Sequence, residues 1–74
     1  MKFYHWYTGA EKPDQEYHCI VAWKGRSKVH RELCETVKSK HRRSYRFYES
    51  GRGTYVDPRQ IIAWMPIEFP KEVE

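Results

Sequence analysis

The feature that most constrains the fold is an apolar run near the carboxyl end, QIIAWMPIEFP at positions 60–70. From Ile61 to Met65, apolar side chains occupy both alternating positions of an extended chain, which is typical of a strand that is buried on both faces. Pro66 lacks the backbone N–H that a strand ladder requires, so we expect regular pairing to end there. The sequence therefore predicts an interior strand at 60–65, around which the other elements pack.

The length of the chain limits how much surface this packing can bury. Its 74 residues predict one domain, 1–74, and a chain of this size buries only about 60% of its unfolded surface. Aromatic residues, 16% of the sequence, partly offset that limit because each buries a large area. Two cysteines are too few for a disulfide framework, and the amino terminus lacks the apolar segment of a signal peptide. We therefore expect a cytoplasmic protein, and no apolar segment is long enough to span a membrane.

Four further extended segments are predicted around the interior strand. The segment YHCIVAW at 17–23 alternates between two largely apolar faces and is the expected neighbour of 60–65 in the sheet. Two short aromatic segments, 44–48 and 54–56, flank a glycine-containing loop and predict a β-hairpin. The aromatic segment 1–7 is expected to be either a first edge strand or an extended arm packed on the core.

The segment that follows the 17–23 strand is predicted to be a helix. Ser27 can cap a helix that runs to Lys40, and Val29, Leu33 and Val37 then lie on one side of it. A strand is the alternative, but it places charged residues on both faces, so the helix is favoured. Together the elements predict an α+β fold, a small and mostly antiparallel sheet of three to five strands with one helix packed on one face.

Histidine and cysteine side chains raise the question of a metal site or a catalytic thiol. On a helix, His30 and Cys34 would be four residues apart and could share a zinc ion, with His18 or Cys19 as a further ligand. Cys34 could also act as a nucleophile with His30 or His41 as the base. Paired CxxC motifs and phosphate-binding loops are both missing, so a packing role for these residues is favoured. We predict no metal, no cofactor and no enzymatic activity.

Positive charge is concentrated in the middle of the chain. From Lys24 to Arg46 there are nine Lys or Arg residues against Glu32 and Glu35, a local charge of +7 compared with +4 for the whole chain. Such a segment attracts anions, either phosphates, with tyrosines stacking on bases, or the acidic surface of a protein. A solvated surface with no partner is the third interpretation. The predicted macromolecule-binding residues are Lys38, Lys40, Arg42, Arg43, Arg46, Tyr48 and Arg52.

Motifs at both ends of the chain resemble a known family. The segment WMPI at 64–67, with Pro70 close behind it, is similar to the ending H-W-M-P-L-P-x-P-P of an uncharacterised family of small phage and prophage proteins. Trp6, the pair Lys12-Pro13 and the pair Ile20-Val21 follow in the order in which that family has a tryptophan, a Leu-Pro loop and an apolar strand. The resemblance covers the two ends of the chain and not its middle.

The chain departs from the family pattern at three positions. Ala63 stands where histidine is usual, Lys12 where leucine is usual, and Phe69 where a proline is expected. The resemblance implies a small accessory protein of phage or prophage origin, with no known reaction. We therefore predict a non-catalytic protein of the bacterial host cytoplasm that binds a host or phage protein through its basic surface, as an inhibitor or adaptor. The alternative is nucleic-acid binding by the same residues, and a homodimer formed through the amino-terminal aromatic residues is a further hypothesis.

Overall fold

The computed structural model describes residues 1–40 and 44–70, which form one antiparallel sheet of six strands. The strands are β1 (Tyr7–Thr8), β2 (His18–Lys24), β3 (Val29–Lys38), β4 (Tyr45–Glu49), β5 (Thr54–Tyr55) and β6 (Ile61–Glu68). Their order across the sheet is β1-β6-β2-β3-β4-β5. Helical structure in the described chain is confined to a short 3-10 turn, Pro58–Gln60, and no helix there could cross a membrane. The predicted α+β class is therefore wrong, and the domain is all-β.

The segment predicted to be a helix, 27–40, forms the longest strand instead. Ser27, the predicted cap, lies in the turn between β2 and β3, and β3 pairs with β2 on one side and β4 on the other. Val29, Leu33 and Val37 are four residues apart, and this spacing fits both structures. On a strand every second side chain projects from the same face, and on a helix four residues make about one turn. Their spacing could not distinguish a helix from a strand, and pairing with the two neighbouring strands decides the outcome.

The interior position of β6 is confirmed. β6 lies between β1 and β2, and Trp64 is aligned with Tyr7 on one side and Val21 on the other. The expectation that pairing ends at Pro66 is wrong. Pro66 is aligned with Cys19 inside the strand, and its carbonyl oxygen accepts a hydrogen bond of 2.8 Å from a backbone N–H of the amino-terminal segment. A proline loses its donor but keeps its acceptor, so it can still be bonded from one side.

One face of the sheet, here called the inner face, forms the core around Trp64. The Trp64 ring centroid lies 5.5 Å from that of Phe47 on β4, although β2 and β3 separate their strands. In a flat sheet β4 and β6 would be about 14 Å apart. The sheet is therefore strongly curved, with its inner face on the concave side. The other buried apolar side chains of this core are Tyr17, Cys19, Val21, Cys34 and Val56.

Hydrogen bonds attach the loop between β1 and β2 to this core. The Thr36 hydroxyl accepts a bond of 2.6 Å from the Tyr17 backbone N–H and donates one of 2.8 Å to the Gln15 carbonyl. The Trp64 indole N–H donates to the Glu11 carbonyl at 2.8 Å. Because these bonds satisfy polar groups at the edge of an apolar core, the loop is a fixed part of the fold.

The opposite face, here called the outer face, is open. Within the described part of the chain no helix or second sheet packs across it. Leu33 is 68% exposed and Ile62 is 48% exposed, whereas Trp64 on the inner face is fully buried. The expectation that 60–65 is buried on both faces is therefore wrong, because the helix that was expected to cover the outer face does not exist.

Candidate macromolecule-binding surface

Three side chains meet on the outer face of β4 and β5. Pairing of these strands aligns Tyr48 with Tyr55, and Arg46 precedes Tyr48 by two residues, so all three project from the same face. The two tyrosine ring centroids are 5.1 Å apart. The Arg46 guanidinium carbon lies 4.2 Å from the centroid of the Tyr55 ring, which is a cation–π contact. We call Arg46, Tyr48 and Tyr55 the edge cluster.

The edge cluster carries positive charge that is not neutralised locally. Among residues 1–40 and 44–70, neither Arg46 nor Arg52 forms a salt bridge. Arg59 differs, because its guanidinium lies 3.0 Å from the Asp57 carboxylate. Hydrogen bonds between these two side chains lower the pKa of Asp57 and raise that of Arg59. The charge of Arg59 is therefore already paired, while that of Arg46 is available to a partner.

The predicted binding residues do not form one continuous patch in the part of the chain that the structure describes. Arg46 lies on the outer face, aligned with Val37. Lys38 lies on the opposite face of the sheet, because it follows Val37 by one residue and strand side chains alternate. Lys40 follows β3 and Arg52 lies in the turn after β4, so the two flank opposite ends of β4. Of the remaining predicted residues, Tyr48 belongs to the edge cluster, and Arg42 and Arg43 lie outside the described residues.

The strand structure of β3 separates the histidine and cysteine that would share a zinc ion on a helix. Four residues along a strand place His30 and Cys34 about 14 Å apart. The His30 ring stacks on Trp23 at a centroid distance of 4.3 Å. Among the described residues, no group of three or more His, Cys, Asp or Glu side chains could hold a metal ion. His41, the other candidate base, lies outside the described residues.

Both cysteines lie in the core as free thiols. Cys19 and Cys34 are aligned on neighbouring strands, and the Cys19 thiol is 3.6 Å from the Cys34 carbonyl oxygen. Burial raises the pKa of the Cys34 thiol to about 12, and it raises that of Cys19 as well. Because the thiolate is the reactive form, both side chains are poor nucleophiles at neutral pH.

A recess at one end of the inner face contains buried polar groups. It has a volume of about 190 Å³, and its lining includes Trp23, Glu49 and Arg52. The Trp23 indole N–H is buried without a hydrogen-bond partner among the described residues, and Glu49 is only 4% exposed. These groups could form hydrogen bonds to a small polar molecule.

The sequence analysis missed Tyr55 and gave Leu33 the wrong environment. Tyr55 belongs to the predicted hairpin, but the predicted loop 49–53 would align Tyr48 with Thr54; in the structure Glu49 pairs with Thr54, and Tyr48 is therefore aligned with Tyr55. Leu33 was assigned to the buried side of a helix, whereas it is exposed on the outer face of β3. No sequence signal separates these two environments for Leu33, because the spacing of its apolar neighbours fits both structures.

Comparison of the chain with protein-family models, with curated proteins and with solved structures finds no match. The resemblance to small phage and prophage proteins therefore stays a prediction. Since a fold does not by itself define a function, the function has to be argued from the surface.

Proposed function

We propose that this chain is a small, non-catalytic binding protein of phage or prophage type that binds an acidic surface on a host or phage protein, as an inhibitor or adaptor. Its contact residues are the edge cluster and Arg52. The observation that carries this proposal is the Arg46 guanidinium, which stacks on Tyr55 and forms no salt bridge with any described residue. The motif at 64–67 supports the phage assignment, and the two free buried cysteines support a reducing bacterial cytoplasm.

Stacking prepares Arg46 for a carboxylate partner. A free arginine loses side-chain entropy when a partner fixes it, whereas the Tyr55 ring already restricts the plane of the Arg46 guanidinium. A planar guanidinium can bind a carboxylate through two parallel hydrogen bonds. Arg52, in the exposed turn next to β5, adds a second positive charge that attracts the same acidic surface.

The geometry favours a protein partner over nucleic acid. A base that stacks on tyrosine needs a free ring face, but Arg46 covers one face of Tyr55 and Tyr48 packs against the same ring. Lys38 and Arg46 also project from opposite faces of the sheet, so these two residues do not line one track for a phosphate backbone. Nucleic-acid binding remains the alternative because positively charged residues recur through the β3–β4 segment, at Lys38, Lys40, Arg42 and Arg43.

A pull-down from phage-infected bacterial lysate, performed with and without nuclease, tests this proposal. The unaltered chain is compared with Arg46→Glu, and Arg26→Glu serves as the control because it makes the same charge change at an exposed turn away from the edge cluster. We expect a protein partner that survives nuclease, is retained by Arg26→Glu and is lost with Arg46→Glu. A partner that disappears with nuclease would overturn the proposal in favour of nucleic acid. A protein partner that Arg46→Glu retains would overturn the assigned surface.

The purified partner allows a kinetic test. Arg46→Glu should slow association at low salt by at least about tenfold, because attraction between opposite charges mainly raises the association rate. The difference should shrink as salt screens the charges. The melting temperature of the variant should equal that of the unaltered chain, since Arg46 is exposed. Equal association rates for the two proteins would contradict the proposed contact.

A further inference from the structure

The open outer face has an apolar row at its centre. Leu33, Ile20 and Met65 are aligned across β3, β2 and β6, and each belongs to the set of side chains that projects away from the core. Leu33, at 68% exposed, lies at one end of this row. A contiguous apolar surface of this kind marks an interaction site more often than an isolated exposed leucine does.

Opposite charges flank this row at equal distances. On β3, Arg31 precedes Leu33 by two residues and Glu35 follows it by two residues, so both project from the outer face about 7 Å from Leu33. On β2, Ala22 lies beside Arg31, while His18 lies beside Glu35. Along β3 the outer face is therefore positive on one side of the apolar row and negative on the other, and Arg46 lies further out on the negative side, beside Val37. Such a surface is complementary to a copy of itself that has been rotated by half a turn.

We propose that two copies of this chain form a dimer through their outer faces. The twofold axis lies in the interface, runs across the strands and passes through Leu33. This axis places the Leu33 side chains of the two copies against each other. It also places Arg31 of each copy over Glu35 of the other, which gives two symmetric ion pairs at the sides of an apolar centre. The interface is isologous and therefore closes at two copies.

Charge and shape select this axis over the other simple ones. A twofold axis along β2 would place β3 of one copy over β6 of the other, so Arg31 would face Ala63 and gain no partner. A twofold axis along β3 would place Arg31 over Arg31, which brings like charges together. The proposed axis instead sets the small Ala22 of one copy opposite the larger His18 of the other. Ala22 and Ala63 line a groove of about 330 Å³ on this face, which provides room for the larger side chains. The faces of packed sheets lie about 10 Å apart, so residues of this size can meet.

Sedimentation equilibrium over a series of protein concentrations tests the dimer. The unaltered chain should shift from 9.1 kDa at low concentration to twice that mass at high concentration. Leu33→Lys should remain a monomer because it places two like charges at the centre of the interface. Arg31→Glu and Glu35→Arg should each weaken the dimer by at least about tenfold, since each brings like charges together at two symmetric contacts. The double variant, which exchanges the two charges, should restore the dimer.

The double variant keeps the test decisive even if Leu33→Lys fails to fold. Recovery of dimerisation can only come from contact between the two positions, so it would not follow from a general effect on stability. A chain that stays at 9.1 kDa at every concentration would overturn the proposal, as would a dimer that tolerates Leu33→Lys. Failure of the double variant to recover would overturn the proposed axis. Arg52→Glu serves as the control, because Arg52 is a contact residue of the proposed function but lines the inner-face recess and not the outer face. It should leave the dimer intact, so failure of the dimer can be distinguished from failure of the proposed function.

Discussion

The inner and outer faces of this sheet are built from the same strands but differ in what their side chains do. On the inner face Trp64 is fully buried and packs against Phe47, and the Thr36 hydroxyl forms one buried and one partly buried hydrogen bond. On the outer face Leu33 is exposed, and Arg46 rests on a tyrosine without a salt bridge to any described residue. The inner face therefore accounts for folding, and the outer face is available for binding.

The difference alternates residue by residue along a single strand. In β3, Cys34 is buried whereas Leu33, the residue before it, is exposed. A substitution at one position should therefore affect stability, and a substitution at the next should affect association. Substitutions of buried inner-face residues should therefore destabilise the protein more than matched substitutions at exposed positions.

Replacement of Trp64 should have the largest effect. Trp64→Ala removes the side chain at the centre of the core and should lower the free energy of unfolding by about 3–5 kcal/mol. Leu33→Ala on the outer face should change it by less than about 0.5 kcal/mol. Urea denaturation at low protein concentration measures both without a contribution from dimerisation. Equal losses of unfolding free energy in the two variants would mean that the inner and outer faces contribute equally to stability, which would contradict this account.

Removal of a buried hydroxyl should have a smaller effect. Thr36→Val keeps the shape of the side chain but leaves the Tyr17 N–H and the Gln15 carbonyl without their partner. The expected loss in unfolding free energy is about 1–3 kcal/mol, the cost of an unsatisfied buried group. Thr54→Val is the matched control because Thr54 is exposed in β5. Thermal melts of the two variants would contradict this account if Thr54→Val were the more harmful.

A methyl group added at Gly9 should destabilise the fold by a comparable or smaller amount. A Cβ atom at Gly9 would lie 2.2 Å from the Ile61 carbonyl oxygen, whereas one at Gly51 would meet nothing within 4 Å. Gly9→Ala must therefore move the loop away from β6, at a cost of about 1–3 kcal/mol. Gly51→Ala should be neutral. Similar melting temperatures for the two variants would show that Gly9 does not approach β6 this closely.

Alkaline pH should destabilise the protein gradually. Burial raises the pKa of Cys34 from 9.0 to about 12 and raises that of Cys19 as well. Above pH 9 the unfolded chain releases thiol protons that the folded chain retains, so the unfolding free energy falls as pH rises toward 12. Cys34→Ala should flatten this dependence relative to the unaltered chain. Urea denaturation at several pH values measures the slope, and an unchanged slope in the variant would contradict the burial of this thiol.

Much of the sheet could be predicted from the sequence because its strands carry local signals. The apolar run at 60–65 and the alternation at 17–23 correctly predicted two neighbouring strands, and the two aromatic segments around a glycine loop correctly predicted the hairpin of β4 and β5. The fold class failed at β3, since Val29, Leu33 and Val37 fit either structure. Charges on both faces then favoured the helix, but here they project from both faces of a strand.

The candidate site was only partly predictable, because the positions of its residues depend on β3, which was predicted to be a helix. Arg46 and Tyr48 were named from the basic and aromatic character of their segment, and the structure brings them together with Tyr55. Lys38 was expected near Arg46 and Tyr48, but in the strand β3 its side chain projects from the opposite face of the sheet. The self-complementary arrangement of Arg31 and Glu35 requires β3 to be a strand, because a strand places the two charges on the same face of the sheet at equal distances from Leu33.

Thiol labelling tests the distinction between the two faces most directly. Leu33→Cys adds a thiol on the outer face to a chain whose own two cysteines lie in the core. At low protein concentration and neutral pH, mass spectrometry after maleimide treatment should show one added label on Leu33→Cys and none on the unaltered chain. Protection at position 33, or rapid labelling of Cys19 or Cys34 in the folded chain, would contradict the account of an open outer face and a closed inner one.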